Sequence, residues 1–321
     1  MKKEWEPLEK KFNAIFIDFE TYLDGHIQRP YYNKILHQCS GKTVHEQSYF
    51  DQLWSGGQRC DVGQATWDYI RNVAIAYADN LVELKKHKEK LGIVRGQRKL
   101  CPTIVGYNLS GFDLHFLMQK YLGDSIASCR FKLNTIYKGT SLIFFQVFDR
   151  LSQEVVLKTH DMFQITSCSL DAALKNFCGS EGKALAEKIS FKDEIMHLLS
   201  HYGTNPDILR PGVETEITRR VFTETDVKHE SVGKRVRLYD EVIRYADNDV
   251  DVLPVLYRCV DGLTKEALGG NCIDFLTAGS MAWYGAVTHL PDDAYEQTKR
   301  SKHRNEIQKR LNTKLYRLEQ S

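Results

Sequence analysis

The pattern of hydrophobic and polar residues predicts strands and helices that alternate along the chain. Short apolar runs rich in β-branched and aromatic residues predict buried strands at residues 13–19, 102–107, 142–148 and 155–159. Apolar positions spaced by three and four residues predict helices at residues 66–89, 112–121, 169–177, 191–199 and 278–290. Strands that come first, with helices between and after them, indicate an α/β domain with a mixed sheet.

Other segments have less regular patterns. Residues 22–62 fit either short strands or a long loop, and residues 214–237 are charged without a clear period. Residues 205–212 contain prolines and a glycine, which indicates an excursion from the domain or a seam within it. A further helix is predicted from Tyr239 onward, and Pro254 should kink or divide it. The reason is that proline removes a helical hydrogen bond, at a cost of ~3 kcal/mol.

Composition indicates an ordinary globular protein. The 321 residues are 42% hydrophobic and 27% charged, which is enough for one large or two modest domains. No apolar run approaches the ~18 residues of a membrane span, and the first residues do not form a secretory signal. We therefore expect an intracellular protein that is not secreted and has no membrane partner. The eight cysteines form no C-x-x-C pair and are expected to be reduced thiols.

Charge is distributed unevenly although the formal net charge is only +2. Residues 85–99 carry seven basic side chains and one acidic, and residues 295–321 carry eight basic and three acidic. The rest of the chain is therefore acidic. An acidic body with basic stretches fits a metal site that also holds a polyanion such as nucleic acid. Solvated helix faces are the alternative for both stretches.

Three short motifs carry candidate chemistry. Asp18 and Glu20 end the first predicted strand, and residues two apart on a strand point to the same side, so both carboxylates can face one metal site. Asp113 follows a strand and a turn, near the positive end of a predicted helix. Tyr245 and Asp249 lie four residues apart on one helix face. Each motif alone also fits a structural role, as surface acids, as turn and cap residues, or as a polar helix face.

The order of these motifs resembles the proofreading 3′–5′ exonuclease domain of family B DNA polymerases, in the tyrosine variant of the DEDD superfamily. The motifs are D-x-E, then N-x-x-x-x-D, then Y-x-x-x-D. The phrase GYNLSGFDLHFL is most similar to the protein-primed branch of that family, and YADNDVDVL fits its third exonuclease motif. The resemblance covers roughly residues 12–290. It implies an RNase H-like mixed sheet flanked by helices in a domain of residues 1–261, with a helical extension over residues 262–321.

The resemblance also implies roles for individual residues. Two Mg²⁺ or Mn²⁺ ions would be held by Asp18, Glu20, Asp113 and Asp249, which suits hard cations because they prefer carboxylate oxygen. Tyr245 would orient the attacking water, and Lys188 matches the family's lysine between the second and third motifs. The residues implied to contact the single-stranded 3′ end are Thr21, Tyr107, Asn108 and Phe112. The alternative for Lys188 is an ordinary solvated lysine, and the alternative for Tyr107 and Phe112 is packing in the core.

The sequence also departs from the family pattern. A serine expected near residues 161–163 is absent, and residues 192–248 form a longer stretch than expected, which predicts an insertion. The polymerase motifs D-x-x-S-L-Y-P and Y-x-D-T-D do not occur, while residues 275–283 resemble the join to a polymerase palm.

The resulting expectation is the exonuclease portion of a protein-primed DNA polymerase in viral or mobile-element replication, without polymerase activity of its own. A palm-containing chain and a terminal protein are the expected partners, besides single-stranded DNA ends. The alternatives are a non-catalytic nucleic-acid or partner-binding module that retains the fold, and a free-standing exonuclease that degrades RNA.

Overall fold

A central mixed sheet organises the chain. The computed structural model describes residues 13–24, 27–51, 60–90, 101–111, 113–188, 210, 212–222, 227–269 and 271–288. Within them, the sheet has seven strands: β1 (Asn13–Asp24), β2 (Ile27–Cys39), β3 (Lys42–Phe50), β4 (Thr103–Gly106), β5 (Phe131–Lys138), β6 (Ser141–Asp149) and β7 (Glu154–Asp161). Their order is β3-β2-β1-β4-β7-β6-β5. The central strands β1, β4 and β7 are parallel, and the outer strands join antiparallel.

Helices cover both faces of this sheet. They are α1 (Val62–Lys90), α2 (Asp113–Gly123), α3 (Ser125–Arg130), α4 (Phe163–Thr166), α5 (Leu170–Phe177), α6 (Gly179–Lys188), α7 (Leu238–Leu268) and α8 (Ala278–Thr288). A short 3₁₀ helix at Cys272–Asp274 follows α7. No helix within these described ranges combines the length and the apolar character that a membrane crossing requires.

The two faces of β1 explain the two halves of the hydrophobic core. Ile15 and Ile17 point toward α1 and share a cluster with the apolar face of that helix. Ala14 and Phe16 point the other way and pack with α7, which contributes Val250 among others. Because side chains alternate across a strand, the next positions on the α7 face are residues 18 and 20. The sheet therefore turns the D-x-E pair toward α7.

The predicted fold class is confirmed: the structure is mixed α/β, with a seven-stranded mixed sheet in its described part and helices on both faces, consistent with an RNase H-like fold. The predicted strands and helices correspond, in chain order, to β1, α1, β4, α2, β6, β7, α5, α7 and α8. The predicted helix at residues 191–199 lies outside the described residues.

Several elements differ from the predictions or were not predicted. The described part of residues 22–62, where short strands or a long loop were expected, contains the long antiparallel strands β2 and β3. The helices α3, α4 and α6 and the edge strand β5 are also additional. Pro254 does not divide α7, which continues to Leu268 and ends at Gly269 in the left-handed conformation.

A separate hairpin lies between α6 and α7 in the chain. Its strands are β8 (Thr215–Phe222) and β9 (Val227–Val236), which pair antiparallel outside the main sheet. It falls in the stretch for which an insertion was expected. The predicted boundary between residues 261 and 262 lies inside α7, so one helix crosses it. The division into two domains stays a prediction.

Candidate metal site

Strand β1 supplies the first two carboxylates. Asp18 and Glu20 both face α7, as the alternation along the strand requires. The backbone carbonyl of Asp18 accepts a hydrogen bond of 2.8 Å from the side chain of Asn33, which is fully buried on β2. Asn33 in turn accepts from Thr66 at the start of α1, at 3.1 Å. The strand is therefore held in place from the opposite face of the sheet, at the position where its carboxylates begin.

Helix α7 supplies the third carboxylate. One carboxylate oxygen each of Asp18, Glu20 and Asp249 lie within 4.8 Å of one another. Asp249 is 9% exposed and sits beside Val250 of the core, so the apolar stripe of the helix orients it toward the sheet. The hydroxyl of Tyr245, one helical turn earlier, donates a hydrogen bond to the Asp249 carboxylate. Two predicted motifs that are distant in sequence thus meet in space.

Asp113 lies next to this group, at the first position of α2. Its side chain is 5% exposed. The backbone N–H of Phe19 acts to lower the pKa of both Asp113 and Asp18, against the larger effect of burial. Asp113 does not belong to the closest group of three oxygens, but its charge raises the pKa of Asp18. All four predicted carboxylates therefore share one electrostatic environment.

Burial is the main reason why these acids are hard to ionise. It raises the pKa of Glu20 to about 7 and, with the charge of Glu20 as the next cause, the pKa of Asp249 to about 8. Burial also raises the pKa of Asp18 and Asp113 well above their ordinary values. Desolvation and like charges both penalise the ionised form of a carboxylate. Such a group is costly to keep charged unless a cation is bound.

The donor set fits a divalent cation. Carboxylate oxygens are the ligands that Mg²⁺ and Mn²⁺ prefer. In addition, Oδ1 of Asp249 is buried and has no hydrogen-bond partner in the described part of the chain. A buried acceptor without a partner is expensive, and a metal ion would satisfy it. The fit rests on these two observations, and the number and identity of the ions stay predictions.

A cleft opens beside the carboxylates. Its volume is about 400 Å³. The lining side chains come from α5, α6 and α7 and the residue before α5: Ser169, Leu170, Asp171, Lys175, Ala186, Glu187, Tyr245 and Asp249. Tyr245 and Asp249 thus face both the metal-ligand group and an open space. Burial, followed by the charge of Asp249, raises the pKa of Tyr245, so its hydroxyl stays protonated at neutral pH.

An additional acid, Asp161, supports the turn that precedes Asp113. It lies at the end of β7, and its carboxylate accepts hydrogen bonds from the backbone N–H of Ser110 at 3.2 Å and of Phe163 at 3.0 Å. Burial raises its pKa, while those hydrogen bonds act in the opposite direction. Its charge is the largest electrostatic contribution to the raised pKa of Asp113. No pattern in the sequence indicates this role, because Asp161 belongs to none of the three motifs.

The predicted DNA-contacting residues occupy different surroundings. Asn108 is exposed and has a φ of 59°, in the left-handed region. Thr21 is half-buried and follows a β-bulge in β1. The hydroxyl of Tyr107 is bonded to Thr166 Oγ1 at 2.7 Å and to the carbonyl of Cys168, so this tyrosine is tied into the adjacent core. The DNA contacts of these residues stay predictions.

Some predicted features lie outside the described part of the chain. Phe112 is one of them, and so is the side chain of Lys188, although the backbone of Lys188 ends α6 next to the cleft. The basic stretch of residues 85–99 is described only up to residue 90, within α1, and residues 295–321 are not described. Their contact with nucleic acid stays a prediction.

No family model matches the chain, and no curated protein matches it. Among solved structures, the chain is similar to "Phi29 DNA polymerase complexed with primer-template DNA (post-translocation binary complex)". That similarity covers 88% of this chain and 36% of that chain, with 10% identity and a TM-score of 0.41. The chain thus spans about a third of the length of that polymerase.

Proposed function

We propose that this protein is a metal-dependent 3′–5′ exonuclease that removes terminal nucleotides from single-stranded DNA and serves as the proofreading portion of a protein-primed DNA polymerase. One observation carries the proposal: the carboxylates of Asp18, Glu20 and Asp249 converge within 4.8 Å beside an open cleft. Mg²⁺ or Mn²⁺ is the proposed cofactor, as two ions. Single-stranded DNA ends are the proposed substrate, and a palm-containing chain and a terminal protein are the proposed partners.

In the proposed reaction, the metal ions and the side chains have different roles. Divalent ions bound at the carboxylates would activate a water molecule and neutralise negative charge at the scissile phosphate. Asp18, Glu20 and Asp249 would hold the ions, with Asp113 beside them. Tyr245 would orient the attacking water, since its hydroxyl is held by Asp249 and stays protonated at neutral pH.

The rest of the proposed substrate site follows from the same cleft. The 3′-terminal nucleotide would enter between α5 and α7, where Ser169 and Lys175 line the opening. Asn108, exposed at the turn before Asp113, would contact the DNA strand together with Thr21 and Tyr107. Lys188 would act from the end of α6, adjacent to the lining residue Glu187.

A labelled oligonucleotide tests the proposal directly. The purified chain, with Mg²⁺ or Mn²⁺, should shorten a 5′-labelled single strand step by step, and a 3′-labelled strand should lose its label in the first step. The double variant Asp18→Ala with Glu20→Ala should abolish both results. Glu266→Ala, an exposed acid on α7 away from the site, is the control and should cleave normally.

Three other results would contradict the proposal in different ways. Equal activity of the wild type and the double variant would show that the carboxylates are not catalytic. Salt-dependent DNA binding without cleavage, unchanged in the double variant, would indicate the non-catalytic binding module. Faster cleavage of ribose than of deoxyribose oligonucleotides would indicate an RNA exonuclease.

A further inference from the structure

A buried lysine lies beside the proposed metal site. Lys34 is on β2 directly opposite Asp18 in the antiparallel register, and its side chain is 5% exposed. Cross-strand partners of this kind have side chains on the same face of the sheet. The Lys34 ammonium contacts three carboxylates: Asp251 at 2.8 Å, Glu46 at 2.9 Å and Asp247 at 3.8 Å.

Two of these partners belong to the helix that carries the site. Asp247 and Asp251 lie on α7, two residues before and two residues after Asp249. The third partner, Glu46, lies on β3. Lys34 therefore connects the sheet, at the level of Asp18, with the segment of α7 that presents Asp249.

A neighbouring tyrosine repeats this connection. Tyr32 is opposite Glu20 in the same register, and its hydroxyl is bonded to Asp247 and, at 2.9 Å, to Ser48. At the start of α7, the ring of Tyr239 packs on Phe50 with a centroid distance of 4.9 Å. The helix is thus attached to the β2–β3 hairpin over several turns, and Lys34 is the one charged attachment that reaches both Asp247 and Asp251 within the described residues.

The charge of Lys34 has a cost that an apolar residue would avoid. Taking an ammonium group out of water is unfavourable unless it is paired with well-placed partners. Burial lowers the pKa of Lys34, but its hydrogen bonds to Asp251 and Glu46 outweigh that effect, so the group stays charged. The N–H donors of Lys34 also hold Asp251 and Glu46 at hydrogen-bonding distance, which an apolar contact would not do. A metal site whose carboxylates come from β1 and α7 requires these two elements to be held at a fixed distance from each other.

We propose that Lys34 is a positioning residue, which acts through Asp247 and Asp251 to hold Asp249 and Tyr245 against Asp18 and Glu20. It does not touch the substrate. This inference rests on the proposed function of the same site. If it is correct, the geometry of the metal ligands depends on the ion pairs of Lys34 with Asp247 and Asp251, which are not metal ligands themselves.

Metal binding by the full chain tests the inference without relying on catalysis. Isothermal titration with Mn²⁺ should show binding that is weakened at least tenfold in Lys34→Met, a change that keeps the length of the stem and removes the charge. Residues that orient metal ligands typically contribute about 10- to 100-fold in affinity or activity. Lys34→Arg should retain part of the affinity, and Asp251→Asn should resemble Lys34→Met.

Glu46→Gln is the matched control. It removes a partner of the same lysine but leaves both contacts with α7, so Mn²⁺ affinity should stay within twofold of the wild type. Combining Lys34→Met with Asp251→Asn should add little to the larger single effect, because both changes break one connection. In the cleavage assay, Lys34→Met should lower kcat while KM for the oligonucleotide stays near that of the wild type.

Each other outcome has a defined meaning. Unchanged Mn²⁺ affinity in folded Lys34→Met would overturn the inference, and so would tighter binding, which would mark Lys34 as a competing charge. If Lys34→Met does not fold, Asp251→Asn decides by the same criterion. Mn²⁺ binding by a wild type that cleaves no DNA would overturn the proposed function but leave the Lys34 comparison intact. A wild type that binds no Mn²⁺ would overturn both.

Discussion

Replacing Asp249 with asparagine should stabilise the metal-free protein. Asp249 is 9% exposed, and burial together with the charge of Glu20 raises its pKa to about 8. In the unfolded chain the pKa of Asp249 is the ordinary value of 3.8. As the pH rises, Asp249 therefore loses its proton in the unfolded state at a lower pH than in the folded state. The wild type therefore loses stability between about pH 4 and pH 8. Asparagine at this position removes that loss because it has no proton to release.

The size of the effect follows from the pKa difference. One pKa unit corresponds to about 1.4 kcal/mol. The raised pKa of Asp249 therefore lowers the free energy of unfolding of the wild type by about 5 kcal/mol near pH 7.5 and by less than about 1 kcal/mol at pH 4. Imperfect packing of the amide and the altered hydrogen bond from Tyr245 reduce the gain to about 2–4 kcal/mol. For a chain of 321 residues that raises Tm by roughly 3–6 °C.

Metal ions should reverse the order of stability. A ligand that binds only the folded state stabilises it by about 4.1 kcal/mol at a thousandfold excess over Kd, which exceeds the advantage of the variant. Wild-type protein should gain this stabilisation from Mn²⁺ at pH 7.5, and Asp249→Asn should gain little because it lacks one ligand. Thermal unfolding followed by circular dichroism, with EDTA or Mn²⁺ at pH 4 and pH 7.5, measures both effects.

The exposed acid Glu266 on the same helix provides the control. Glu266→Gln should change Tm little at either pH and should keep the full response to Mn²⁺. Two results would refute the reasoning about Asp249. One is a Tm for Asp249→Asn in EDTA that is equally below the wild type at pH 4 and pH 7.5. The other is equal stabilisation of wild type and variant by Mn²⁺.

Further predictions concern the neighbouring positions. Tyr245→Phe should lower the single-turnover cleavage rate about 100-fold and keep the Mn²⁺-dependent rise in Tm; equal rates would exclude the proposed role of the hydroxyl. Gly106→Ala should lower the free energy of unfolding in chemical denaturation by about 1–3 kcal/mol, since its Cβ would lie 2.3 Å from a side-chain atom of buried Leu109. Gly123→Ala is the control: its Cβ would meet no atom within 4 Å, so this change should be neutral or stabilising. Asn108→Gly should leave the free energy of unfolding unchanged and should weaken the binding of single-stranded DNA in fluorescence anisotropy. Asn108→Val should lower the free energy of unfolding by about 1–2 kcal/mol, because Asn108 has a φ of 59°. Unchanged DNA affinity in Asn108→Gly would show that this residue does not belong to the DNA site.

Local patterns in the sequence predicted a large part of the fold. The apolar run of β1 and the helical spacing of α1 and α7 are visible without any neighbour, because each element carries its own periodicity. The alternation along β1 also predicted that Asp18 and Glu20 share a side of the strand. These features depend on positions only two to four residues apart.

Other elements depend on partners that are distant in the chain. Strand β3 is mostly exposed along its length, and β2 contains Pro30, so neither shows the apolar alternation of a buried strand. They are strands because β2 pairs with β1 and β3 pairs with β2. The continuous course of α7 through Pro254 likewise follows from its burial in the core, where packing outweighs the missing hydrogen bond.

The sequence by itself determined the kinds of ligand in the candidate site and their order: carboxylates on a strand, after a turn and on a helix. Only the tertiary structure decided that Asp249 meets Asp18 and Glu20, and that Lys34 pairs with Asp251, 217 positions away. In the sequence, Lys34 looks like any other lysine until its surroundings are known. The physical reason is that desolvation and charge pairing are properties of the assembled interior, whereas periodicity is a property of the chain.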